Sequence, residues 1–324
     1  MHLSIVIPTF NRADLYPQTI PALSNQKTDP GITYEVIFVA NGSTDATDSV
    51  LKEVVGADPE KFRYFWIEPT GGPSAPRNVG IRAATGDVII ILDDDVAPDP
   101  DLVMRHAEFH RQYPGEQHAA VGKVYVPAHL LDDPMSLFHE HYSYDRLRNV
   151  QRLTFFDFWT CNVSLKRQFM LDKGMFDESV LWVEDVEVAH RLETAGMHLH
   201  FLPAAKGQHL HQTNPAKLAA KAFAFGSWIY RITGRVPASM VKKRFGVVSL
   251  EFGPKWFLGR LARLAGFFIL DNPVTRCVLR LLGATRPRRS GITDLYYGLV
   301  FNRAFLTGYY KTWFQDWRSA GHQE

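Results

Sequence analysis

Ile89-Ile90-Ile91-Leu92-Asp93-Asp94-Asp95 is the stretch on which the fold turns. A short, unbroken aliphatic run is the mark of a strand buried on both faces, and this one empties into three carboxylates before Pro98 and Pro100 end regular structure. Toward the N-terminus the theme recurs. The apolar runs Leu3 to Pro8, Tyr34 to Val39 and Phe62 to Ile67 alternate with segments of helical length, Arg12 to Gln26, Thr44 to Val55 and Ser74 to Ala84. Pro17 and Pro21 blur the ends of the first of these helices. Such alternation predicts a doubly wound α/β domain, a Rossmann-like, mostly parallel sheet flanked by helices. Ligands of these sheets lie beyond the carboxyl ends of the strands, so the polar residues after each run are where function is sought.

Beyond residue 100 the pattern is looser. Ala119 to Val126, Trp159 to Leu165 and His198 to Leu202 read as strands, the last ending near Pro203, and Glu184 to Ala195 reads as a helix stopped by Gly196. The turn Thr213-Asn214-Pro215 predicts a boundary between an α/β domain over residues 1–212 and a mostly helical region over 213–324. A chain of 324 residues, 46% apolar and 22% charged, is composed like a globular protein with a sizeable core, which excludes the disordered and collagen-like classes. Cys161 and Cys277, far apart and with no C-x-x-C pair, exclude a disulfide framework or a cysteine zinc site. With neither a leader-like N-terminus nor an apolar run of spanning length, the expected location is the cytoplasm.

The net charge of +2 hides an asymmetry. Residues 1–214 hold 18 Lys and Arg against 29 Asp and Glu, whereas residues 215–324 hold 18 against 5, a balance of +13. A half so basic either meets something anionic or pairs with the acidic half. No nucleic-acid-binding module accompanies the charge, so nucleic acid is not an expected partner. An anionic membrane surface is, because residues 255–268 read as an amphipathic helix: Phe257, Leu261, Leu264 and Phe268 form a stripe with Lys255, Arg260 and Arg263 around it. Arg286-Pro287-Arg288-Arg289 adds a basic knot, and the aromatics from Tyr296 to Trp317 suit an interface. The expected location is thus the cytoplasm, with the inner face of the cell membrane as a peripheral site. A helix docked on its own protein is the competing reading of the same stripe.

Three adjacent carboxylates repel one another and call for a cation or hydrogen-bond donors, and hard oxygen ligands favour Mg²⁺ or Mn²⁺. A solvated acidic turn, a phosphoaspartate receiver and a phosphohydrolase site use the same triplet. A second acidic cluster, Trp182-Val183-Glu184-Asp185-Val186-Glu187, separates these readings. On a helix Glu184, Glu187 and Arg191 share one face, and Asp185 points about 100° away from that row, where it is placed to act as a general base. The alternative use of these acids is to complement the helix dipole. His209 and His211, at alternate positions of an extended segment, fall on one side, and either is a candidate nitrogen ligand beside an acidic metal site.

These strings together resemble glycosyltransferase family 2, the GT-A fold enzymes that use nucleotide-activated sugars, over about residues 3–212. Ser4 to Arg12 is similar to the family's opening strand and nucleotide loop, Val39 to Asp45 to the turn after the second strand, and Arg77-Asn78-Val79-Gly80 to its R-N-x-G helix. Asp93-x-Asp95 takes the place of the D-x-D motif, and Asn162-Val163-Ser164, Gly174 to Glu178 and Glu184-Asp185-x-Glu187 follow in the family's order. The resemblance implies a GT-A fold with a C-terminal helical extension. It also implies a metal-dependent, inverting transfer from a nucleotide-sugar donor to a glycan or lipid-linked hydroxyl in cell-envelope polysaccharide synthesis.

By the same resemblance Pro8, Thr9, Asn11, Arg12, Asn41, Arg77, Asn78, Asp93 and Asp94 would bind the donor. Asp95 and His209 would hold Mn²⁺ or Mg²⁺. Asp185 would be the catalytic base with Glu184 as competitor, and Trp182 would stack on the acceptor or pack in the core. Ala40 stands where the family commonly has an aspartate that touches the nucleotide base, so a UDP-sugar is a preference, with Asn41 or Asp93 as replacements for that contact. A retaining transferase and a nucleotidyltransferase that releases pyrophosphate remain open on the sequence.

Overall fold

The strand that runs into the carboxylates, β4 (Val88–Leu92), lies at the centre of an eight-stranded sheet of order β3-β2-β1-β4-β7-β6-β8-β5. Ile89, Ile90, Ile91 and Leu92 are wholly buried. Burying each contributes roughly 1.5–3 kcal/mol, enough to hold the strand in place against repulsion among the acids at its end. The computed structural model describes residues 1–130, 144–210, 214–270, 272–275, 277–278 and 291–320. His211, Arg286, Arg288 and Arg289 lie outside the described residues, as do the side chains of Leu264 and Phe268.

β1 (His2–Thr9), β2 (Thr33–Asn41), β3 (Phe62–Ile67) and β4 are all parallel. Parallel neighbours need crossovers, which α1 (Tyr16–Ser24), α2 (Thr47–Ala57) and α3 (Ser74–Ala83) supply. The expected mostly parallel α/β sheet is therefore present. α1 and α2 start later than expected, because residues 10–15 and 42–46 are taken up in loops that bond each other.

The second half differs more. β5 (Val96–Pro98) is a strand where the prolines were expected to end regular structure, and α4 (Leu102–Gln112) follows it unanticipated. Next come β6 (His118–Tyr125), the short α5 (Tyr144–Leu147), β7 (Asn162–Lys166), α6 (Arg167–Asp172), α7 (Glu184–Thr194) and β8 (His198–His209). β7 and β5 run antiparallel to their neighbours. β8 does not stop at Pro203. Its pairing with β6 jumps from Gly122↔Leu202 to Lys123↔Lys206, so the proline sits in a bulge where no amide hydrogen is required, and the strand continues to His209.

The chain divides into two compact units, Met1–Pro127 with Tyr142–His211, and Ala128–His141 with Gln212–Glu324. The second is helical: α8 (Pro215–Arg231), α9 (Ala238–Phe245), α10 (Pro254–Leu270) and α11 (Gly291–Ala320). α8 and α11 cross at glycines. A Cβ on Gly226 would lie 2.0 Å from the Phe305 carbonyl oxygen, and one on Gly308 2.1 Å from that of Phe223, so only glycine permits this approach. No helix among the described residues is long and apolar enough to cross a membrane.

Candidate functional site

β4 delivers Asp93, Asp94 and Asp95 to the carboxyl end of the sheet, and the loops after β1 and β2 wrap around them. Arg12 Nε donates to Asp94 Oδ1 at 3.0 Å, and its Nη2 lies 3.7 Å from Asp95 Oδ2. The backbone N–H of Phe10 also donates to Asp94, at 3.3 Å. Burial, then the neighbouring Asp95, push the Asp94 carboxyl up to about 7, with Arg12 opposing them. Asp93 is likewise raised by burial and by Asp95, against the pull of Arg77. A row of carboxyls raised in this way is the condition expected of a cation site.

Several of the residues expected to bind the donor are occupied in building these loops. Pro8 and Thr9 are buried in β1, with Thr9 Oγ1 2.9 Å from the Tyr16 hydroxyl. Asn11 has a left-handed backbone (φ 53°), and its Oδ1 accepts the amide hydrogens of Thr44 and Asp45 at 2.7 and 3.3 Å. Asn41 accepts from the Thr70 amide at 2.9 Å and donates to the Gly72 carbonyl at 3.0 Å, so its amide is committed to the loop before α3. Ala40 is fully buried in β2.

α3 joins the two acidic clusters. Arg77, 4% exposed, donates through Nη1 to Glu184 and through Nη2 to Asp93 Oδ1 at 3.3 Å. Its guanidinium lies 5.4 Å from the centre of the Phe176 ring, and its Nε has no hydrogen-bond partner. Arg77, expected among the donor-binding residues, forms salt bridges to Asp93 and Glu184. Asn78 is buried, donating to the Phe176 carbonyl and Glu178 and accepting the Phe176 amide hydrogen at 3.0 Å. It pins the segment that leads to α7 and has no amide group left for a donor. The expected acidic row on α7 also resolves differently: Arg191 forks onto Glu187 at 2.8 and 2.9 Å, while Glu184 turns to Arg77.

Asp185 lies two residues after Val183, a β-branched residue in the left-handed region (φ 57°), which redirects the chain immediately before the helix. Such backbone costs on the order of 1–3 kcal/mol and persists only where the surroundings enforce it. Burial, and then the adjacent Glu184 carboxylate, push the Asp185 carboxyl up to about 7, with Arg77 pulling it back. A carboxylate with that proton affinity is matched to proton abstraction near neutral pH.

β5 and β8 bring the third component in. Val96 pairs with His209, the Leu210 amide donates to the Asp95 carbonyl at 2.8 Å, and His209 Nε2 lies 3.6 Å from Asp95 Oδ1. Among the described residues no three His, Cys, Asp or Glu side chains form a closed metal cage. One carboxylate and one imidazole fit an open divalent site, in which phosphate and water oxygens fill the remaining positions. The sequence missed β5, the strand that makes this juxtaposition. Its one signal was a three-residue apolar run after the aspartates. Cys161, whose carbonyl accepts the Asp93 amide at 3.4 Å and whose sulfur meets the Tyr144 hydroxyl at 3.1 Å, was also missed as a neighbour of the acids, and no local pattern marks it. Trp182 is 38% and Phe10 54% exposed, so neither is core.

The model of "Glycosyl transferase family 2" matches residues 4–171. A validoxylamine A glucosyltransferase of Streptomyces hygroscopicus subsp. limoneus is 29% identical over 223 residues, covering 60% of this chain and 48% of that protein. A poly(ribitol-phosphate) beta-glucosyltransferase of Bacillus spizizenii is 36% identical over 130 residues, 38% of this chain and 19% of its own. The chain thus spans about half the length, or less, of these curated relatives. Among solved structures, the mannosyltransferase PcManGT of Pyrobaculum calidifontis, in complex with GDP-Man and Mn²⁺, aligns with a TM-score of 0.63 at 16% identity over 97% of this chain and 87% of that one. S. aureus TarS 1-349 in complex with UDP aligns with a TM-score of 0.51 at 16% identity over 98% and 92%. With a family match over more than half its length and the GT-A architecture of its structural neighbours, the chain belongs to glycosyl transferase family 2.

Proposed function

We propose that the protein transfers a sugar, with inversion, from a nucleotide-sugar to a hydroxyl of a glycan or lipid-linked acceptor. The observation that carries this reading is Arg77, whose ion pairs to Asp93 and Glu184 tie the acids after β4 to those of α7. That supports a reading in which the acidic row faces the diphosphate and the start of α7 supplies the proton acceptor.

Asp185 takes the acceptor proton. Glu184 is the weaker candidate, since its carboxylate is engaged by Arg77. Asp95 and His209 would hold a divalent ion, Mn²⁺ or Mg²⁺, which when bound supplies Lewis-acid stabilisation for the leaving diphosphate. Asp93 and Asp94 orient ribose and donor sugar, and Arg12, already on the aspartates, is free to exchange one of them for a phosphate oxygen. Exposed Trp182 offers its indole face to the acceptor ring. A UDP-sugar is the preferred donor; solved neighbours carry UDP and GDP-Man, and with Ala40 buried and Asn41 bonded to the Gly72 carbonyl, Asp93 is the replacement for the family's base contact. A poly(ribitol-phosphate) glucosyltransferase and a chondroitin synthase among the relatives support a cell-envelope polymer as product.

The test is a donor panel of UDP-, GDP- and TDP-sugars with Mn²⁺, read by nucleotide release and by the anomeric configuration of the product. Nucleoside diphosphate with inverted product supports the proposal. Pyrophosphate release would assign nucleotidyl transfer instead, and retained configuration would remove Asp185 as the base for single displacement.

A further inference from the structure

α10 in the C-terminal unit presents its apolar side to solvent. Leu258, Leu261, Ala262, Ala265 and Ile269 are exposed at spacings i, i+3, i+4, i+7 and i+11, a single stripe down one helix face. Leu258 is 62% and Ile269 72% exposed. Val274 and Val278, beyond the end of α10, are exposed as well. Of the stripe expected from sequence, the side chains of Leu264 and Phe268 lie outside the described residues, Leu261 is exposed and Phe257 half-buried. Beside it, Trp256 turns its indole N–H to the Val247 carbonyl at 3.3 Å and stacks under Arg260 at 4.3 Å, which fixes the rotation of the helix.

Two further observations point to what meets this face. Lys255 and Arg263 are exposed on the same helix as the stripe, and residues 215–324 carry a balance of +13. Leu261 is also one lip of a cavity of about 500 Å³ within the same unit, lined chiefly by Tyr230, Tyr309, Tyr310, Trp313 and Val248, with Lys242 as its cation. An apolar stripe, a cationic flank and an aromatic-walled cavity thus share one edge. A second copy of so basic a unit would be repelled electrostatically, whereas anionic headgroups would be attracted.

We propose that the outward face of α10 docks in the interface of an anionic bilayer, its leucines and Ile269 among acyl chains and Lys255 and Arg263 among phosphates, with the adjoining cavity taking the apolar chain of one lipid. This inference rests on the second unit alone and stands or falls apart from the transfer reaction.

Co-sedimentation of the full chain with vesicles tests it. Phosphatidylcholine alone should leave the protein in the supernatant, and phosphatidylcholine mixed with phosphatidylglycerol at low salt should pellet it. The double variant Leu258→Glu/Leu261→Glu, with an unchanged circular-dichroism spectrum, should bind roughly tenfold more weakly or worse. If that variant does not fold, Lys255→Glu/Arg263→Glu at exposed positions should lose binding to the anionic vesicles. Vesicles with brominated acyl chains should quench tryptophan fluorescence, and Trp313→Phe should lessen the quench. Wild-type protein that stays in the supernatant with anionic vesicles, a folded glutamate variant that pellets like wild type, or a dimer in sedimentation that the glutamate variant dissociates would each overturn the proposal.

Discussion

Asp185 and Arg77 carry the sharpest consequences of the geometry. If Asp185 is the base, Asp185→Asn should lower kcat by about 10³-fold while donor affinity, read by calorimetry, stays within a factor of about two. Its pH dependence has a definite sign. The base works only when deprotonated, and burial with Glu184 raises its carboxyl to about 7, so the rate should climb with pH through a midpoint near 7 and the climb should vanish in the variant's residual activity. A flat wild-type profile between pH 5.5 and 8, as a rough window around that value, would assign the proton acceptor elsewhere. Arg77 makes a separate prediction about stability. It is buried and serves two carboxylates at once, and an ammonium cannot reproduce the planar fork. Arg77→Met should cost about 3–5 kcal/mol in unfolding free energy, because the buried Glu184 carboxylate would lose its cation, and Arg77→Lys should recover only part of it in denaturant titrations.

At the scale of elements, α4 predicts an acid lability that has no connection to catalysis. His106 lies between Ser164 Oγ at 2.8 Å and Asn162 Oδ1 at 2.9 Å, and His110 Nε2 shares Ser164 Oγ at 2.9 Å. Burial lowers His106 to about 4 and His110 further, and it lowers His118 and His200 as well. The unfolded chain therefore binds more protons than the folded one below the ordinary histidine pKa. The stability tied to neutral His106, about 3 kcal/mol, is fully present above about 6.5 and is lost as pH falls toward 4. Asp94 and Asp185, raised to about 7, gain stability over the same range, so the loss is read as a difference: the melting-temperature gap between wild type and His106→Gln should shrink from pH 7.5 to 5. This helix also shows where sequence reading stops. β1, β2 and β4 were legible because strands buried on both faces are written as aliphatic runs, and β3, at the sheet edge, because its aromatic and β-branched residues suit a strand. α4 was not, because its buried side includes two histidines whose partners lie more than fifty residues away. β5 was invisible for a related reason: three residues hold no periodicity, and the pairing of Val96 with His209 depends on β8 passing Pro203 through a bulge. The acid triplet was plain as a site, but the commitment of Asn78 and Asn41 to backbone was not, since it depends on loops whose packing no local pattern encodes.

For the molecule as a whole, the architecture gives ligand binding a structural task. The carboxylate row ends β4 in the middle of the sheet, His209 ends β8 near its far edge, and the β5–β8 pairing is the link that brings the two side by side. A nucleoside diphosphate and a divalent ion bound there would tie both parts of the sheet together, the ion offsetting the burial and the Asp95 repulsion that raise Asp93 and Asp94. Ligands that bind only the folded chain stabilise it by mass action, about 2.7 kcal/mol at a hundredfold excess over Kd, and for a chain of this size that is a shift of several degrees in Tm. UDP with Mn²⁺ should therefore raise the melting temperature more than the sum of either alone, and EDTA should abolish the synergy. The variants separate the roles: His209→Ala should lose the synergy but keep the weak shift given by UDP, whereas Asp185→Asn should keep the full synergy while losing transfer. If His209→Ala retained it, the ion would be held without the imidazole, and the closeness of His209 to Asp95 would be an ion pair of the sheet edge alone.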